Sequence, residues 1–464
     1  MFFFRDNETK TLNRFYNSKN AKAMAIFGRR RIGKTELIKN YVFHVNPDKS
    51  IYYQCTCTDY NICLNDFISQ IKHYYDKDEI LYSLKTFKDV FKYISKTSKK
   101  KYAFIIDEFP YLCKNNSDAA TEFQWIIDNC LDGTKLILLG SSMSFMKNQI
   151  NNSESPLYGR FDEIIEVNPF TFNEVLKIFP KFEDAINVYA VTGGIPMYVM
   201  YFKEYRNVDL ALDSLLFNDN GRLFNESNNI LMQELRQIST YVSIIRCIGT
   251  SEKDSGAIAK LCHLDHRAVF TYLNTLIDLG ILRSVENTFS KKKYDKKYEV
   301  KDFFFKFYYS FINPNISLIV SLNSKARNYI LDDSYKTYLG RIYEQIIRES
   351  LFEYALNRDI PFMPKVVNKW WGNIKKDNSY IESEVDVIAY DAHNVIVGEC
   401  KYKNKMVGIN EYNLLMSKAN NINVGDRKIY YLLASKSGFS KDILNLKDNN
   451  LILIEKNKVV RRGN

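Results

Sequence analysis

Apolar residues along the first half of the chain fall into short unbroken runs. Met24 to Phe27 opens "MAIFGRRRIGKTELIKNYV", Tyr102 to Ile106 lies in "KKYAFIIDEFPYL", and "KLILLGSS" spans Lys135 to Ser142. Such runs predict strands of a parallel sheet buried on both faces, with ligands held beyond their C-terminal ends. From Phe217 to Asn229 the sequence turns polar, marking a linker or lid edge. "ELRQISTYVSIIRCIG" then has the spacing of one amphipathic helix. Ser255 is placed to cap a short helix ending near Cys262, and His266 to Leu279 predicts a second helix stopped by Gly280. "ILRSVEN" and "KKYEVKD" flank "TFSKKKYD" as the strands of a wing, so the segment predicts a winged helix-turn-helix. After "FINPNISLIV" a further domain begins. Its long helix, "YKTYLGRIYEQIIRESLFEYAL", turns Leu339, Ile342, Ile346 and Leu351 inward, with Glu344 beside that face. "VVNKWWGN" predicts an aromatic strand, and "EVDVIAYDAHNVIVGECKYK" a strand, a turn and a strand. The class expected is α/β.

Composition changes this picture little. A chain of 464 residues with 46% hydrophobic and 14% aromatic content has room for about three globular domains. No run of eighteen apolar residues is present, so no membrane span is expected, and "MFFFRDNETK" turns charged too early for a signal peptide. The eight cysteines lack zinc-site spacing and are expected to be reduced thiols in a cytoplasm. A net charge of +11 permits contact with nucleic acid, but lysine is abundant throughout, so where it clusters matters more.

The first apolar strand leads into candidate chemistry. Gly28, Gly33, Lys34 and Thr35 fit G-x-x-x-x-G-K-[ST] between a strand and a helix. Backbone N–H groups of such a loop wrap phosphates at a helix N-terminus. Lys34 is expected to reach the β- and γ-phosphates, and the Thr35 hydroxyl to bind Mg²⁺. Asp107, ending the second run, is expected to hold Mg²⁺ through water, and Glu108 to polarise the attacking water. Ser141, ending the third, is placed to sense the γ-phosphate. Arg160 in "SPLYGRFDEI" is a candidate transition-state charge, in cis or from a neighbouring copy in a homo-oligomer. Arg29, Arg30 and Arg31 face phosphate, a partner or solvent.

"FRDNETKTL", "GRRRIGKTEL", "IIDEFPYL", "LGSSMSFM", "SPLYGRF" and "VTGGIPMYV" follow one another as in the archaeal-type AAA-related ATPases, close to the STAND class of signalling NTPases. This resemblance covers residues 1 to about 205. It implies ATP as the nucleotide, a helical lid after the core, and Pro196 near the base or phosphates. The chain departs from the family at Phe4, where many relatives carry Gly, which bears on contacts to the adenine side.

In the winged-helix reading, Arg267, Thr271 and Asn274 face a major groove, while Lys291, Lys292, Lys293, Lys296 and Lys297 contact phosphates from the wing. The same module serves equally as a spacer or dimer element packed on the ATPase.

Period two orders the last hairpin. Glu399 and Lys401 point to one face with Cys400 on the other, and the "DAHN" turn brings Asp386 toward Glu399. Two acids and a lysine on one sheet face suit a divalent cation, with Asp386 and Glu399 as hard oxygen ligands and Lys401 positioning or deprotonating a water. Glu344 could add a carboxylate. "GRIYEQIIRESL", "KWWGN", "ESEVDVIAY" and "VGECKYK" resemble the PD-(D/E)xK, restriction-endonuclease-like superfamily, over roughly residues 315 to 464. The resemblance implies metal binding at Asp386 and Glu399, a water or phosphate role for Lys401, and a supporting role for Glu344. Val385 stands where the motif's proline would be. A salt-bridge cluster in a nuclease fold that no longer cuts accounts for the same residues.

The sequence thus predicts three parts: a P-loop ATPase with a helical lid at 1–205, linker helices and a winged helix at 206–312, and a nuclease-like α/β domain at 313–464. The expected function is ATP binding and hydrolysis coupled to action on DNA, with Mg²⁺-dependent phosphodiester cleavage. The alternative is a nucleotide-controlled switch or DNA-binding regulator with a silent C-terminal domain.

Overall fold

The computed structural model describes residues 4–45, 49–75, 79–290, 295–376 and 379–463. Its backbone packs as two compact units. The first comprises Met1–Phe170, Gly194–Met200 and Asp278–Gly280, and the second Thr171–Gly193, Tyr201–Ile277 and Ile281–Asn464.

The first unit is built on strands β1 (Ala23–Phe27), β2 (Ser50–Gln54), β3 (Ala103–Asp107), β4 (Lys135–Gly140) and β5 (Glu163–Glu166). They pair in parallel in the order β2-β3-β4-β1-β5. Alternate residues of each buried run feed opposite faces, as the pleat requires. Phe104 and Ile106 join Phe67, Phe87, Phe91 and Phe123 on one face. Met24, Ile26 and Ile105 join Leu12, Phe15, Leu37 and Ile38 on the other. Because β4 lies between β1 and β3, the ends of these three strands converge, and the glycine loop, Asp107 and Ser141 meet there. This is the P-loop NTPase fold.

In the second unit, the helices Phe172–Ile178 and Phe182–Thr192 pack with the long helix Asp333–Leu356. Tyr189 donates to Glu349 at 3.1 Å. Three helices, Ser239–Ile248, Ser255–Leu261 and Ala268–Asp278, precede an antiparallel ribbon of β6 (Leu282–Glu286) and β7 (Lys296–Val300). Lys253 bridges to Tyr298 and widens the ribbon. The single helix expected over "ELRQISTYVSIIRCIG" is not formed: Leu235 is extended (φ −128°, ψ 143°) and the helix starts at Ser239. The cap expected at Ser255 belongs to Asp254, whose carboxylate accepts from Ala257 N at 2.8 Å.

A separate mixed sheet follows, with β8 (Val366–Lys376), β9 (Ser379–Tyr390), β10 (Asn394–Lys401), β11 (Lys428–Ser435), β12 (Leu451–Glu455) and β13 (Lys458–Arg461) ordered β13-β12-β11-β10-β9-β8. The turn between β9 and β10 is fixed by Asp391, which accepts from the backbone of His393 and Asn394 at 2.7 and 2.6 Å. The inward residues foreseen on the long helix, Leu339, Ile342, Ile346 and Leu351, are all buried.

The ribbon is seated on β8. Trp371 Nε1 donates to Asp295 at 3.0 Å, and Asn287 Nδ2 donates to both Asp295 and the Trp371 carbonyl at 2.6 Å. Asn368 donates to the Glu286 carbonyl at 2.8 Å, and Phe289 packs against Tyr390 at 5.0 Å.

Candidate functional site

The glycine loop follows β1 and enters the helix Lys34–Val45. Gly33 sits at φ +89°, a conformation L residues rarely adopt. A Cβ on Gly28 would lie 2.5 Å from the Val167 carbonyl oxygen. The buried Lys34 ammonium donates to the carbonyls of Gly28 and Arg29 at 2.8 and 3.0 Å. Thr35 Oγ1 donates to Asp107 Oδ2 at 2.7 Å, joining the loop to the end of β3. Glu108 adopts φ 52°, unusual for a residue with a side chain, and this turns its carboxylate toward β4. There Ser141 Oγ donates to Glu108 Oε2 at 2.6 Å. Pro196 opens the helix Pro196–Lys203, whose Met197 N–H donates to the Arg31 carbonyl at 3.4 Å, so this helix borders the loop.

Lysine, hydroxyl and carboxylate groups beside a glycine loop fit a nucleoside triphosphate with Mg²⁺. Lys34 and the loop N–H groups would hold phosphate, and Thr35 and Asp107 the metal. Held by these residues, the metal would supply charge neutralisation for phosphoryl transfer. Arg160 lies elsewhere. Its Nε donates to Asp128 at 3.2 Å and its Nη1 to the Tyr158 carbonyl at 3.1 Å. Asp162, two residues on, bonds through its N–H to Ala23, the first residue of β1. Arg160 therefore stands at the edge of the sheet opposite the loop, roughly 13 Å of strand away. The cis role expected of it does not fit this position.

The second constellation lies where β9 and β10 part. The ladder ends at Gly398 opposite Val387, and one residue further Asp386 Oδ2 accepts from Cys400 N at 2.8 Å. Glu399 is buried. Its Oε2 accepts from Lys401 Nζ and its Oε1 from Lys418 Nζ, each at 2.6 Å. Arg348 donates to the Asp386 carbonyl at 2.6 Å and stands 3.9 Å from Glu344. Burial and the charge of Glu399 push Asp386 up to about 6, and burial and Asp386 push Glu344 up to about 8. Lys401 is raised: burial opposes its charge, and Glu399 outweighs that.

Among the described residues no group of three or more His, Cys, Asp or Glu is arranged to hold a metal ion. Asp386 and Glu399 make a two-carboxylate set, and Mg²⁺ commonly uses one or two carboxylates plus waters. A cation there would also relieve the burial cost that raises Asp386.

On the helix Ala268–Asp278 and the turn before it, Arg267, Thr271 and Asn274 are exposed, together with Phe270. Lys296 is exposed. The Lys297 ammonium instead lies 4.5 Å from the centre of the Trp371 ring, which does not leave it directed at a phosphate. Lys291, Lys292 and Lys293 lie outside the described residues.

A family model described as an ATPase domain predominantly from Archaea matches residues 2–202. One described as archaeal and bacterial proteins of unknown function matches residues 308–419. The uncharacterized protein MJECL04 of Methanocaldococcus jannaschii is 30% identical over 457 residues, covering 95% of this chain and 97% of its own. The chain belongs to the family of this archaeal protein, and its residues 2–202 match an archaeal-type ATPase domain. Among solved structures, the Aeropyrum pernix ORC2 protein in its ADPNP-ADP complexes has a TM-score of 0.44 at 14% identity, over 71% of this chain and 95% of that one. The STAND protein PH0952 of Pyrococcus horikoshii has a TM-score of 0.28 at 17% identity, over 76% of this chain and 50% of its own.

Three residues of this archaeal ATPase's sites went unnoticed in the sequence. Tyr52, on β2, donates to Asp107 Oδ2 at 2.7 Å beside Thr35. Arg5 is buried, donates to the carbonyls of Asn168 and Ile32 at 2.9 and 3.1 Å, and lies over Phe170. Lys418 reaches Glu399 from the helix Ile409–Ala419. Only Arg5 had a signal, its place in the "FRDNETKTL" motif.

Proposed function

We propose that this protein hydrolyses ATP at the glycine loop and uses the nucleotide state to control a DNA-acting half, in which Asp386, Glu399 and Lys401 carry Mg²⁺-dependent phosphodiester cleavage. The observation that supports the second activity is the Asp386 carboxylate accepting from Cys400 N, beside the Glu399–Lys401 ion pair of β10. Asp386 and Glu399 would hold the cation, and Lys401 would orient the attacking water. The helix Ala268–Asp278, read as the recognition helix of a winged helix, would present Arg267, Thr271 and Asn274 to DNA.

In the glycine-loop site, Glu108 would orient the hydrolytic water while Ser141 fixes its carboxylate. Lys34 would steady the transferred phosphoryl group. Arg160 would act on phosphates only from a neighbouring copy.

Supercoiled plasmid with Mg²⁺ or Mn²⁺ tests the reading, with and without ATP. Nicking by the parent chain that is lost in Glu399→Ala supports it. One observation favours a second reading. Both oxygens of Glu399 already accept from lysines, as in a closed salt-bridge cluster, which suits a nucleotide-controlled, DNA-binding regulator that does not cut. DNA retained in a gel shift without nicking under any nucleotide condition would establish that alternative. ATP turnover that survives Lys34→Ala would overturn the ATPase assignment itself.

A further inference from the structure

Within the second unit, a cavity of about 130 Å³ lies between the ribbon, the long helix and strands β8 and β9. Its walls carry six cationic side chains against four carboxyl groups, one of which, Glu344, burial and Asp386 push up to about 8, so positive charge is in surplus by at least two. A wider cavity of about 300 Å³ shares Arg283, Arg348 and Lys369 with it.

The surplus is not spread on the surface. Lys306, on the helix Phe303–Phe307, has a side chain only 7% exposed. Among the described residues its ammonium makes no hydrogen bond, and its nearest carboxylate oxygen, on Glu299, is 4.0 Å away. Glu299 is itself engaged at 2.5 Å by Arg283. Burial pulls Lys306 down to about 8, and the positive charges of Arg283, Arg341 and Arg348 add to that. Two of those guanidinium groups are steered by neutral carbonyls, Arg341 by Thr250 and Arg348 by Asp386. A buried ammonium without a hydrogen bond, facing guanidinium groups across a polar cavity, is costly unless an anion joins them.

We infer that this cavity is a binding site for a phosphate-class dianion, with Lys306 and Arg341 as its principal cationic contacts. Guanidinium forks match the paired oxygens of a tetrahedral oxyanion, and the ammonium supplies a point charge. A surplus of at least two charges matches a free phosphate ion or the terminal phosphate of a nucleic-acid strand. A backbone phosphodiester carries only one. Asp386 and Glu399 do not line this cavity, although Glu344 and Arg348 border both places, and phosphate binding in it needs no cleavage.

Calorimetric titration of the full chain with inorganic phosphate tests the inference, at constant ionic strength in chloride and in a Lys34→Ala background that removes the glycine-loop phosphate site. One saturable site is expected, weakened roughly ten-fold or more by Lys306→Met, the effect of losing one charge-assisted contact. Arg341→Gln provides the same readout independently. No saturable phosphate binding, or binding as tight in a folded variant as in the parent, overturns the site. The source is separated by comparing an oligonucleotide with and without a 5′-phosphate. Tighter binding of the phosphorylated strand that disappears in Lys306→Met assigns the site to strand ends, and equal binding of both strands assigns it to free phosphate.

Discussion

Lys418 closes on Glu399 from the side opposite Lys401, each ammonium 2.6 Å from its own carboxylate oxygen. One buried acid thus anchors two cations from different elements, the helix Ile409–Ala419 and strand β10. Glu399→Ala leaves both lysines without their carboxylate and is expected to cost about 3 kcal/mol in urea unfolding. Lys418→Met keeps the Lys401 pair and frees one oxygen. In that variant Mn²⁺ should raise the unfolding temperature more than in the parent, and no Mn²⁺ response in either chain would argue against a cation at this site.

At the glycine loop, Glu108→Gln keeps the shape of the side chain but removes the carboxylate. ATP turnover should fall by about 10² to 10⁴ while nucleotide binding is retained. Phosphate release and fluorescent-nucleotide titration separate the two effects. Lys34→Ala should instead lose the binding itself.

Tyr52 is expected to act through Asp107. Tyr52→Phe removes one hydrogen bond to the carboxylate, worth about 1 kcal/mol. The midpoint of the Mg²⁺ dependence of ATP turnover should shift about five-fold, with little change at saturating Mg²⁺. A change of the same size at all Mg²⁺ levels would point to a purely structural part.

The pH dependence of stability follows from two lysines. Burial lowers both Lys306 and Lys369 to about 8, below the value of 10.5 they take when unfolded. The folded chain therefore binds fewer protons than the unfolded chain between those values. Stability contributed at these positions rises as pH climbs from about 8 to 10.5, and is lowest below 8. Lys306→Met should be more stable than the parent at pH 7 by roughly 1–3 kcal/mol, and the gap should close by pH 10.5. Urea midpoints at the two pH values measure it.

Two basic residues near the ribbon should differ in their effect on DNA. Arg267 is exposed, and Arg267→Ala should weaken DNA binding and flatten its salt dependence by about one phosphate contact. Lys297 rests on the Trp371 ring, and Lys297→Ala should leave the salt slope unchanged. Fluorescence anisotropy at several salt concentrations distinguishes them.

How far the sequence could be read depended on the distance over which each contact acts. β1, β3 and β4 were legible because a strand buried on both faces has no polar positions to confuse with a helix. That Asp386 comes near the end of β10 was legible because a short turn returns that strand along β9. The ladder stops at Gly398 opposite Val387, however, so period two does not reach Asp386 and Glu399. Helical spacing persists through Leu235, so the break before Ser239 left no mark in the pattern. Tyr52 and Asp107 lie 55 positions apart, and Asn287 and Trp371 lie 84 apart. No local motif joins either pair, so the hydroxyl on Asp107 and the seat of the ribbon emerge only when the sheets are assembled. That seat also explains why lysine clustering misled at Lys297: a cation in a basic stretch can be spent on an aromatic face.

The bonds between Trp371 and the ribbon have a metric consequence. They tie the helix Ala268–Asp278, through its own ribbon, to the sheet that carries Asp386 and Glu399. A duplex gripped by that helix would meet the acidic cluster at a separation set by the protein, not by the flexibility of a tether. Strand breaks would then fall at a constant number of base pairs from the contacted sequence, and a sequencing-gel ladder would show one sharp offset in place of a spread.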